Sequence, residues 1–247
     1  MNAVIEAALL LGGASLFGSL LGFVVRSIPH RLNDVFLGFC AGMMLAASIV
    51  CLALPAVDAA GEGGLWQVAV GLILGAALIS LLDKITPHLH NITGLDPEAH
   101  AHNSTLNRVL LFVIAIAIHK FPEGMATGVA YDAAAFSNPE ALSLTIALQN
   151  IPEGLVVVTP LLVAGIRRWR VLAVALAVAL LEVVGLFLGY WIGSLSEILL
   201  PALMGLAAGA MLYVISDEVI PETHAHGFQK PATFALILGF VAMLFIE

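Results

Sequence analysis

Residues 116 to 128 read IAIHKFPEGMATG. An imidazole, an ammonium and a carboxylate (His119, Lys120 and Glu123) follow one another within about one helical turn at the end of an apolar run. A charged side chain at the centre of a bilayer costs at least ~2.5–3.5 kcal/mol on insertion scales, and such residues mark pathways and sites. The reading of the fold turns on whether this run lies in a membrane.

The rest of the chain says that it does. Of 247 residues, 61% are hydrophobic and 11% charged, whereas a soluble domain carries about 25% charged residues. Mean hydropathy is +1.05, and apolar runs long enough to cross a ~30 Å hydrocarbon core recur throughout. The chain is expected to be all-α and polytopic, one domain over 1–247 embedded in the lipid bilayer. The net charge of −8 comes with no basic patch, so nucleic acid is excluded as a partner. The N-terminal run carries Glu6 and lacks a basic leading region, which reads as a first span and not a cleavable signal. Cys40 and Cys51 lie about 16 Å apart along one helix, too far to bridge, and leave the redox compartment open.

Breaks at charged, Gly/Pro and polar clusters predict eight spans: 3–25, 35–57, 65–83, 108–131, 139–163, 171–192, 198–216 and 232–246. A polar, His-bearing loop at about 84–107 is the one long connection. Arg26, Arg31, Lys84, Arg108, Arg167, Arg168, Arg170 and Lys230 fall on one side of this arrangement, while Asp58, Glu62, Asp132, Glu140 and Glu197 fall on the other. The positive side is the cytoplasmic one, so both termini are expected outside a multi-pass protein of the cell (inner) membrane.

Counting from the polar residue that begins each span, His119, Asn150, Glu182 and Met44 all lie about 15–18 Å in, near one midplane. His119-Lys-Phe-Pro-Glu-Gly124 recurs as Gln149-Asn-Ile-Pro-Glu-Gly154 in the next, antiparallel span. In each copy the first residue and the Glu are four apart and share a face. Pro122 and Pro152 each free a backbone carbonyl, which is tolerated at membrane depth where it lines a site. A lone His or Glu would read first as a structural hydrogen-bonding residue, but two matched copies plus Glu182 argue for a site. Lys120 neutralises one of Glu123, Glu153 and Glu182. His119 beside the remaining carboxylates suits a divalent cation such as zinc, iron or cobalt. Met43 and Met44 sit in a small-residue stretch that also reads as close helix packing.

These two motifs in consecutive spans of an eight-span chain resemble the ZIP (Zrt-, Irt-like) metal transporters, especially the prokaryotic branch whose second motif opens with Gln. The resemblance covers essentially the whole chain. It implies an eight-helix bundle with an internal inverted repeat, and uptake of a divalent metal toward the cytoplasm. The metal site it implies is His119, Glu123, Gln149 and Glu153, completed by Met44. A second, adjacent site would use Lys120, Asn150 and Glu182, but Lys120 departs from the common Asn and a protonated lysine is no ligand. It is therefore assigned a charge-compensating role. Asp58 is implied at the entrance, and Asp217, Glu218, Glu222, His224 and His226 at the cytoplasmic exit.

No cofactor is expected. The cargo is expected to be Zn²⁺, with Cd²⁺, Fe²⁺ and Mn²⁺ open, and so is pairing into a homodimer. His88, His90, His100 and His102 read equally as metal capture or as a solvated linker, and His30 as an interfacial residue. Two other functions compete with transport of a metal. An intramembrane metalloenzyme would need an open coordination position, and no HExxH pattern is present. A proton-coupled carrier of an organic solute would use Lys120 as its counter-ion.

Overall fold

The computed structural model describes residues 2–25, 29–92, 120–131, 138–193 and 198–246, with only the backbone path for 82–92. Eight helices account for the described residues. They are α1 (Asn2–Val25), α2 (His30–Ala60), α3 (Leu65–Ile92), α4 (120–131), α5 (Pro139–Val163), α6 (Arg168–Gly193), α7 (Leu200–His224) and α8 (Gln229–Ile246). Six are long and apolar enough to cross a membrane. In α3 the corresponding apolar part is Leu65–Leu81, and α4 is described only in part.

Local chemistry explains several helix ends. Asn138 caps α5, its side-chain oxygen accepting from the Ala141 amide at 3.2 Å, with Pro139 next and Glu140 in the first turn; each feature suits a helix N-terminus. The far end of α5 closes with Gly165 at φ +80°. Its amide bonds the Leu162 carbonyl and the Ile166 amide bonds that of Leu161, a Schellman closure in which glycine takes the left-handed position.

Two helices run further than expected. Helix α2 continues to Ala60 through a π segment at Ala47–Ala53, and α7 continues to His224 through another at Ile215–Val219. Pro55 and Pro221 stand two residues past the ends of these segments. A proline lacks an N–H and its ring crowds the carbonyl a turn earlier; the wider π turn lets the helix carry on. The expected loop is also shorter, because α3 stays helical through residues 84–92. That places His88 and His90 on its helical backbone, while His100 and His102 lie outside the described residues.

Glycines decide how the helices pair. A Cβ at Gly18 or Gly154 would strike the backbone of the facing helix in the α1–α5 pair. The same holds at Gly124 and Gly185 for α4–α6, at Gly42 and Gly239 for α2–α8, and at Gly75 and Gly209 for α3–α7. Small residues let backbones approach where lipid gives no hydrophobic drive to association. This set of pairs maps onto itself when α1, α2 and α3 are exchanged for α6, α7 and α8, and α4 for α5. The two π segments exchange as well. Short sequence echoes follow the same mapping: Gly18–Gly22 with Gly185–Gly189, GFCAGMML at 38–45 with GLAAGAML at 205–212, and LILG at 72–75 with LILG at 236–239. Partners related in this way run in opposite directions, so the repeat is inverted. The helices fall into two groups of four, α1/α4/α5/α6 and α2/α3/α7/α8.

Candidate metal pathway

Helices α4 and α5 cross at the centre and bring their motifs together. Lys120, Glu123, Gln149, Asn150, Glu153 and Glu182 are all buried, Glu182 completely. The Lys120 ammonium lies 2.6 Å from Glu123 Oε2 and also contacts a Glu153 carboxylate oxygen and Asn150 Oδ1. Gln149 Nε2 donates to Glu123 Oε1 at 2.9 Å, joining the two motifs. Asn150 Nδ2 donates to Glu182 Oε1 at 2.7 Å and to the Leu11 carbonyl at 3.3 Å. One network therefore spans α4, α5 and α6 and ends on α1.

The network is short of positive charge. Three buried carboxyl groups share one ammonium; with all three ionised the excess is two negative charges, which one divalent ion or two protons would neutralise. Among the described residues, Glu182 Oε2 and Gln149 Oε1 are buried without a hydrogen-bond partner, and buried polar atoms in that state are costly. A carboxylate oxygen and an amide oxygen are both donors suited to a hard or borderline cation.

The other predicted residues divide. His119 lies outside the described residues. Met44 is buried in the apolar cluster that holds Ala126 of α4 and Ile146 and Ala147 of α5, each within about a turn of a motif. Met43 lines a cavity between α1, α2, α5 and α8. Asp58 is exposed at the far end of α2. At the opposite end of the bundle, Asp217 lines a cavity of about 540 Å³ between α3 and α7 together with Tyr213 and Ser216. Glu218 and Glu222 are half-buried on α7. His224 Nδ1 lies 2.8 Å from the Ile220 carbonyl, and His226 Nδ1 lies 2.9 Å from Asp34 Oδ1.

The sequence reading missed three participants. The Leu11 carbonyl carries no side-chain signal. Cys40 donates its S–H to the Gln149 carbonyl at 3.7 Å, steadying the backbone of the second motif from α2. His30, read as interfacial, stacks on His226 with ring centroids 4.4 Å apart.

The comparisons with known proteins agree with this geometry. The family described as ZIP Zinc transporter matches residues 93–247. Zinc transporter ZIPB of Bordetella bronchiseptica is 43% identical over 258 residues, covering all of this chain and 82% of its own length. The chain belongs to the ZIP family. Zinc transporter GufA of Myxococcus xanthus, 36% identical, covers all of this chain and 98% of its own. Zinc transporter ZIP11 of Homo sapiens, 32% identical, covers 95% of this chain and 93% of its own. Membership of the ZIP family makes the chain a membrane metal transporter, and neither the metalloenzyme nor the organic-solute reading finds a relative to support it.

Proposed function

We propose that the protein moves a divalent transition metal, Zn²⁺ foremost, across the cell (inner) membrane into the cytoplasm. His119, Glu123, Gln149 and Glu153 bind it at the midplane and Met44 completes the set. The carrying observation is the meeting of the two motifs around Lys120, where Gln149 of one bonds Glu123 of the other and buried carboxyl groups outnumber the one ammonium. Lys120, Asn150 and Glu182 stand where a second ion would otherwise bind and compensate charge there. Asp58, exposed at one end of α2, draws ions in. Asp217, Glu218, Glu222, His224 and His226 receive them at the end where Arg167, Arg168, Arg170 and Lys230 gather, the cytoplasmic side by the distribution of basic residues. Both termini then lie outside.

The test is metal flux into proteoliposomes with Zn²⁺, Cd²⁺, Fe²⁺ and Mn²⁺ at two pH values. Zn²⁺ uptake that Cd²⁺ competes away is expected, since imidazole and thioether donors favour these softer ions. Flux of Mn²⁺ with none of Zn²⁺ or Cd²⁺ would overturn the ligand assignment. Labelling of engineered terminal cysteines from the outside checks the orientation.

A further inference from the structure

We propose that His30 and His226 together bind a divalent transition-metal ion at the basic end of the bundle, with Asp34 orienting His226 from behind. Asp34 is fully buried near the start of α2. Its Oδ1 accepts from His226 Nδ1 at 2.9 Å, while its Oδ2 has no hydrogen-bond partner among the described residues. A carboxylate only accepts, so this contact keeps the proton on Nδ1 and leaves the Nε2 lone pair of His226 free to coordinate. Histidines that bind metals are regularly held in this way, their other ring nitrogen bonded to a carboxylate.

The second imidazole is already alongside. The His30 ring lies at 21° to the His226 ring, centroids 4.4 Å apart. Two imidazoles on one tetrahedral ion at ~2.0–2.1 Å need their nitrogens about 3.3 Å apart with the ion in both ring planes, so the two rings must turn out of the stacked pose to present their edges to it. His30 is exposed on the first turn of α2, and the His226 side chain is 27% exposed, so both rings have room to turn. The chemistry selects zinc, copper, nickel or iron over magnesium and calcium, because imidazole is the donor. Two protein ligands with water in the remaining positions make an exchangeable site. Asp34 also lies about 15 Å along α2 from Met44, which puts the pair one half-membrane from the midplane. The exit role implied for His226 did not reveal this partner, because His30 and His226 meet only when the α7–α8 turn folds onto the start of α2.

The experiment is equilibrium dialysis of Zn²⁺ against the purified full-length protein, comparing wild type with His30→Ala, His226→Ala and Asp34→Asn. Each alanine variant should lose one weakly held ion. Asp34→Asn, which keeps both imidazoles, should weaken that ion's binding by ~10–100-fold. Ions held by the other histidines stay constant across the set, and an unchanged tight class shows that each variant is folded. Identical isotherms for all four proteins would overturn the proposal, as would a loss in His226→Ala that His30→Ala does not reproduce. A wild type lacking the tight class would instead count against the midplane site, so the two failures are distinguishable.

Discussion

Lys120 holds the centre of the buried network, its ammonium against Glu123, Glu153 and Asn150. Removing one partner of a buried pair leaves uncompensated charge, at a cost of ~3–5 kcal/mol, so Lys120→Ala should express poorly or lose transport. Exchanging Lys120 for Asn removes one positive charge and exchanging Asn150 for Asp adds one negative, together the charge of one divalent ion. Lys120→Asn with Asn150→Asp should therefore raise the tightly bound transmembrane metal from about one ion to about two on purified protein. Two midplane ions in the wild type would end the idea that the ammonium stands in for an ion. At the same scale, Glu123→Ala and Glu153→Ala each remove a carboxylate from the set. Both should fold and carry essentially no Zn²⁺ flux in proteoliposomes, and near-wild-type flux in Glu153→Ala would sink the site. These residues were legible in the sequence because charge is rare in hydrocarbon and the same pattern appeared twice. Their contacts were legible in part: of the two partners the sequence offered for Lys120, Glu153 is in contact with it, whereas Asn150 stands between Lys120 and Glu182, bonded to both.

Helix pairing rests on glycine, and this is where single substitutions should act through packing. A side chain at Gly18 meets the backbone of Ile151, and one at Gly185 meets that of Phe121. These two positions are equivalent under the inverted repeat. Gly18→Val and Gly185→Val should each destabilise by at least the ~1–3 kcal/mol typical of overpacking, seen as matched falls in Tm of the solubilised protein. Gly13, with nothing among the described residues near its missing Cβ, supplies the control, and Gly13→Ala should be neutral or slightly stabilising. A tolerated Gly185→Val would show that α4 and α6 do not pack this closely. Hydrophobic length alone revealed the spans. It could not reveal how far α7 extends, since Pro221 reads as a stop unless the π turn before it is known. The echo of Gly38 and Gly42 in Gly205 and Gly209 was present in the sequence, but without the fold it reads only as two stretches suited to close packing.

At the scale of the whole molecule, the two groups of four helices meet along the pathway. The motifs belong to α4 and α5 in one group, while Met44 comes from α2 in the other. A site shared in this way can open to either side as the groups rock against each other. The segment from His88 to His102 lies at the end of α3 and beyond it, away from the motifs in the sequence, so deleting it should leave flux in vitro largely intact; complete loss in a well-inserted deletion would give it a place in the pathway. Rocking makes a sharper demand on the seam. Between α1, α2, α5 and α8 lies an apolar cavity of about 480 Å³, lined by Phe36 from one group and Leu155 from the other. Its wall must change shape whenever the groups move. A Phe36→Cys, Leu155→Cys protein bridged by a short, membrane-permeant, reducible cross-linker should lose at least ~10-fold in Zn²⁺ flux, keep its tight metal binding, and recover flux on reduction. Wild type treated in the same way should be unaffected, because Cys40 and Cys51 are buried. Undiminished flux in fully cross-linked protein would mean that the metal passes without relative motion of the groups, as through a channel.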